Sequence, residues 1–160
     1  MASIATIGVY GFSRDSFLEA LAGAGVDLLL DVRQRRGVRG SEYAWANARR
    51  LQAALTEANV GYTHLKELAP TTELRQLQYS EDAKLGEGKR SRTVLASEYA
   101  RRYTEEILDQ VDLGPVVSWI GGSSAALLCV ERDPEACHRS LIAARLQRDW
   151  DFRIEHLRPA

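Results

Sequence analysis

The chain is short of the residues that mark several protein classes. Only two cysteines occur in 160 residues, too few for the disulfide framework of a small secreted domain. That length forms one domain, residues 1–160, able to bury its own core without such staples. Neither charge sign is in excess: 21 Lys and Arg stand against 22 Asp and Glu, so the overall balance demands neither a nucleic acid nor a membrane surface. No apolar run approaches a membrane span. The first apolar segment begins near Ile4, which leaves no room for a signal or transit peptide ahead of it. The expected setting is therefore cytoplasmic, with no membrane partner. Repeats, low-complexity tracts and linkers are missing, as are the dinucleotide and Walker glycine fingerprints. In a reducing compartment, two cysteines are expected to be free, redox-active or metal-binding rather than bridged.

What is present is concentrated in one place. The eleven positions Cys129-Val-Glu-Arg-Asp-Pro-Glu-Ala-Cys-His-Arg139 hold both cysteines, one of the three histidines and several carboxylates. The apolar run Ala125 to Val130 before them reads as a buried parallel strand. Behind them Asp133 suits an N-cap, Pro134 the first helical position, and Leu141, Ile142 and Leu146 recur at helical spacing. The motif is thus expected at a strand-to-helix turn, where free N–H groups and partial positive charge lower a thiol pKa or hold an anion. Packing is the competing account of the cysteines, because Cys is among the most buried residue types. Glu131 weighs against it. It shares a strand face with Cys129, and two core residues do not need that company.

The rest of the chain alternates strands with helices. Strands are expected at Ile4 to Tyr10, Val26 to Val32, Gly61 to Leu65, Ala125 to Val130 and Phe152 to Leu157. Helices are expected from Ser13 or Ser16 to about Ala22, from Tyr43 to Glu57 and from Ser97 to Leu108. Residues 71–96 read as a polar insertion, an exposed helix or irregular stretch followed by a basic loop. Pro115 to Ile120 is ambiguous. This order predicts an α/β fold, a Rossmann-like three-layer domain with a mainly parallel sheet of about five strands. Ligands in such sheets bind beyond the carboxyl ends of the strands, where strand order reverses.

Unusual residues fall at those ends. Gly8, Tyr10 and Ser13 belong to a glycine-containing turn before a capped helix, suited to phosphate. Asp31 and Arg33 share a strand face, and Arg35, Arg36 and Arg39 follow in a loop. Guanidinium groups there would grip phosphate or carboxylate, while a solvated basic loop with Asp31 neutralising Arg33 is the plainer alternative. His64 ends the third strand and suits general acid–base work or a structural hydrogen bond. The second basic loop, Lys89, Arg90 and Arg92, reads as a solvated surface or as a lid.

The ordered set Thr6-Ile-Gly8, Asp31-Val-Arg33, Tyr62 to Leu65, Leu68-Ala-Pro70 and Cys129-x-Glu131-x-Asp133-Pro134-x-x-Cys137-His138-Arg139 resembles the bacterial domain of unknown function 488 family, over nearly the whole chain. The stretch from Arg36 to Tyr43 looks like one branch of it. The resemblance implies a compact Rossmann-like domain whose two cysteines are the functional residues, and it brings no reaction with it.

Three functions are compatible with these residues. The first is a thiol-dependent hydrolase or transferase working on a phosphate-bearing or nucleobase-containing substrate. Cys129 or Cys137 would be the nucleophile, Glu131, His138, His64 and Asp31 would move or hold protons, and Arg33, its neighbours and Arg139 would hold the anion. The second is a metal site, since Cys129-x-Glu131 and Pro134-x-x-Cys137 are similar to the zinc deaminase arrangement, although the set is incomplete. The third is a nucleotide- or nucleic-acid-binding module without catalysis. Residue types alone identify no cofactor and no oligomeric state.

Overall fold

The computed structural model describes residues 2–160. Five parallel strands, β1 (Ser3–Ile7), β2 (Leu28–Asp31), β3 (Gly61–His64), β4 (Ala125–Leu128) and β5 (Arg153–Leu157), form one sheet in the order β3-β2-β4-β1-β5. The fold is α/β, three-layered and Rossmann-like. β4 lies in the middle and is buried at every position, as its unbroken apolar sequence requires. Regular pairing ends one to three residues before the expected ends of the first four strands, but single bonds carry it on: Val32 N–H donates to Leu128 O, and the N–H groups of Val9 and Tyr10 both donate to Val130 O.

The strand order locates the site. The chain leaves β2 toward β3 at one edge and leaves β4 toward β5 at the other, so the two neighbouring strands send their connections in opposite directions. Right-handed crossovers then put these connections on opposite faces and open a crevice between the carboxyl ends of β2 and β4. Those ends carry Asp31 to Arg33 and Cys129 to Glu131.

Local chemistry explains the helices. α1 (Arg14–Gly23) starts at Ser13, whose Oγ accepts from Ser16 N–H while Ser16 Oγ accepts from Ser13 N–H, a reciprocal cap. The expected helix from Tyr43 is two elements, a 3-10 turn at Ser41–Ala46 and α2 (Ala48–Glu57). Asn47 separates them. Its Oδ1 accepts from Val38 N–H at 2.7 Å rather than capping α2, and so fastens the arginine-bearing loop to the start of that helix.

α3 (Thr72–Lys84) and α4 (Ser97–Glu106) pack together, and the ambiguous segment is a short helix, α5 (Gly114–Ile120). α3 corrects the expectation of an exposed insertion, because it buries Leu74, Gln78 and Asp82. Its buried polar pair had disguised that face.

The largest departure lies in the cysteine motif. Asp133 makes no side-chain cap, and Pro134–Ala136 form only a 3-10 turn. Cys137 is extended, with φ −139° and ψ 146°, and α6 (Arg139–Trp150) begins after His138. Cys137 therefore precedes the helix rather than riding on it.

Candidate active site

The break before α6 sets the geometry. Consecutive residues on a helix diverge by about 100°, but here an extended Cys137 and an N-capping His138 turn their side chains to the same spot. His138 Nδ1 lies 3.7 Å from Cys129 Sγ and 3.8 Å from Cys137 Sγ. On the opposite side of the ring Nε2 is 2.8 Å from Val32 O, at the end of β2. A carbonyl only accepts, so Nε2 carries the proton and Nδ1 turns its lone pair to the sulfurs. Tyr103, whose hydroxyl donates to Leu68 O, packs its ring 5.3 Å from the imidazole.

The three groups perturb one another. Burial pushes the Cys129 thiol well up, and its hydrogen bond to Cys137 adds to the shift. Burial would raise Cys137 as well, but the hydrogen bond from Cys129 and the charges of His138 and Arg139 outweigh it and bring Cys137 down to about 6. For His138, burial opposes the imidazolium, whereas Cys137, Glu131 and Val32 O favour it and raise its pKa. These shifts favour transfer of the Cys137 proton to the free lone pair of His138 Nδ1, which would leave a thiolate beside an imidazolium.

Both sulfurs line a cavity although they are nearly screened from bulk water, Cys129 being 5% and Cys137 1% exposed. About 40 Å³ is open there to the centres of water molecules. Its charged lining is Arg33, Arg35, Arg75, Lys89 and Arg92 against one carboxylate, Glu131. That imbalance favours an anion over a dication. Three donor atoms, from Cys129, Cys137 and His138, lie within 4.8 Å of one another, one short of a closed zinc set.

Glu131 is held in its charged form. Burial works against the carboxylate, yet Arg92, Lys89 and His138 lower its pKa to about 2. Oε1 accepts from Arg92 Nη1 at 3.2 Å, while Oε2 is buried with no partner. Arg92 is the hub beneath: its Nε also donates to Asp82 at 2.9 Å and its Nη1 to Ala136 O. Asp82 accepts in turn from Gln78. The basic loop thus sends one arginine inward to join α3 to the cysteine motif.

The other expected site residues separate into groups. Arg33 lines the cavity, but it is fully buried and bidentate to Asp31 at 2.9 and 2.8 Å, with Nη1 on Ala46 O. Asp31 also accepts from Tyr62 Oη at 2.6 Å, so its oxygens are occupied and it does not reach the cavity. His64 Nε2 meets Arg33 O at 2.7 Å, a bond that steadies the loop. Arg139 is wholly buried with donors on Glu131 O, Arg132 O and Thr6 Oγ1. Gly8 is required by contact: a Cβ there would stand 2.0 Å from Glu131 O and 3.2 Å from Arg139 Nη1. Ser13 caps α1, and Arg36 reaches Tyr62 Oη at 3.4 Å.

The inner cavity opens outward. Arg35, Arg75, Tyr79 and Lys89 line it and also line a basin of about 660 Å³, whose far wall includes Tyr10 and Arg39. Sequence reasoning missed Arg75, Gln78 and Tyr79. The signal was there in the pairs Arg75–Tyr79 and Gln78–Asp82, which join at four-residue spacing on α3.

Comparison with curated proteins and with solved structures finds no match. The profile of one family, described as domain of unknown function DUF488, matches residues 13–146. That span takes in most of the chain and both cysteines, and the chain belongs to the DUF488 family.

Proposed function

We propose that the protein is a thiol-dependent hydrolase or transferase in which Cys137 is the nucleophile and His138 its acid–base partner. The observation that carries this reading is the His138 imidazole, fixed by Val32 O so that its free lone pair faces both sulfurs. His138 Nδ1 accepts the Cys137 proton, and the thiolate attacks an electrophilic centre of the substrate. As the sulfur bond forms, the leaving group departs with its bonding pair and takes the proton from Nδ1. Water or another acceptor, deprotonated by the same nitrogen, then displaces the sulfur and restores the thiolate. The neighbouring Cys129 thiol also lowers the pKa of Cys137. The cations around the cavity favour an anionic substrate, and only its reacting end fits inside.

Alkylation tests this. Iodoacetate and iodoacetamide are reacted with the native protein across pH, and the modified residue is found by peptide mass. Modification is expected at Cys137, half-maximal near pH 6, and His138→Gln should move it upward toward the ordinary thiol range. Anionic iodoacetate should gain on neutral iodoacetamide relative to their ratio with a free thiol, because the lining is positive. Inert sulfurs in the folded protein, or a profile unaffected by His138→Gln, would overturn the reading.

A further inference from the structure

The arginines and lysine of the outer basin extend beyond the sulfurs, and their surroundings differ from those of the cations on α4 and α6. On α4 and α6, Arg101, Arg102, Arg145 and Arg148 each meet a carboxylate. Arg35, Arg39, Arg75 and Lys89 line one concavity, and none of the four pairs with a carboxylate among the described residues. Arg75 is nevertheless held in place, by Gln34 Oε1 at 2.8 Å and Tyr79 Oη at 3.0 Å, partners that orient its charge without cancelling it. Arg90, which also lines the basin, is already committed. It bonds Glu42 and Arg39 O, and its guanidinium lies 5.1 Å and 5.3 Å from the ring centres of Tyr10 and Tyr43.

We propose that this basin binds a small molecule through a pyrophosphate group and presents the remainder of it to the sulfurs. Like charges gathered without counter-charge repel one another, and an anion relieves that repulsion. Three guanidinium forks and an ammonium offer more donors than one phosphate can accept, and match two linked phosphates. A volume of about 660 Å³ lies in the range of small-molecule sites and leaves space for an organic group. Arg35, Arg75 and Lys89 line the inner cavity too, which puts them at the neck. A nucleic acid strand fits less well, because these four cations are gathered in one concavity of a chain whose net charge is −1. The assignment rests on the thiol reading for which end of the ligand reacts, and its test does not depend on that reading.

Calorimetric titration of the full chain with pyrophosphate, ADP, AMP, adenosine and a ten-nucleotide single strand is the test. Pyrophosphate and ADP should bind at one saturable site, AMP about tenfold more weakly, and adenosine not at all. Arg35→Gln and Lys89→Gln should each weaken ADP about tenfold or more. No saturable binding of pyrophosphate and ADP, affinities untouched by both variants, or a strand that binds more tightly than ADP would overturn the proposal. Binding that persists where Cys137 proves inert to alkylation would remove the thiol reading and leave this one standing.

Discussion

Arg33 and Arg35 lie two residues apart on one loop and face opposite demands. Arg33 is buried, bidentate to Asp31 and bonded to Ala46 O, so its charge is consumed within the fold. Arg35 is exposed and carries no carboxylate partner among the described residues. The same division runs through the second basic loop, where Arg92 descends to Asp82 and Glu131 while Lys89 stays at the neck of the basin. One residue type thus does two jobs, and the presence of a buried counter-charge separates them. Spent cations should matter to stability, free ones to ligands.

The sharpest way to break that division is to exchange the two kinds. Arg92→Ala leaves Asp82 and Glu131 buried without their partner and should cost about 3–5 kcal/mol in urea unfolding. Arg35→Gln should stay within about 0.5 kcal/mol of the parent. Equal losses would erase the distinction.

Acid gives a somewhat smaller effect. A carboxylate whose pKa falls on folding stabilises the native state above its unfolded value, and that contribution is lost as pH drops toward the folded one. For Glu131, lowered from 4.5 to about 2, about 3 kcal/mol should disappear between those limits. Urea midpoints measured across that window should decline in the parent chain and decline less in Glu131→Gln.

Smaller still is the effect of loosening the exposed latch. Arg90→Ala should leave the melting temperature almost unchanged while speeding proteolytic cleavage near Gly86 and Gly88, because the exposed clasp on Glu42, Arg39 O and the two tyrosines is lost. Arg101→Ala, which removes two exposed helix pairs, with Glu98 and Glu105, should change neither measurement.

The sequence made the sheet legible because buried parallel strands are written as apolar runs, and Val26 to Val32 and Ala125 to Val130 are such runs. It also indicated the rim, since Cys129, Glu131, Cys137 and His138 do meet at one cavity. Two things were not legible. Asp133-Pro134 has the chemistry of a helix start, yet the helix waits until His138, because Arg139 is anchored by the carbonyls of Glu131 and Arg132 and the preceding turn must close around them. The face of α3 was hidden for another reason. Gln78 and Asp82 count as polar in any periodicity, and distant partners make their burial tolerable: Arg92 donates to Asp82 and Ala96 N–H donates to Gln78 Oε1.

The grip of Val32 O on His138 has a consequence for how this centre tolerates genetic change. Imidazoles are often steered by an acidic side chain, which one codon change can delete. A main-chain oxygen is supplied by whichever amino acid occupies the position, so replacing Val32 by another residue that keeps the strand path leaves the ring's tautomer untouched. The property is inherited with the backbone and not with the letter at position 32.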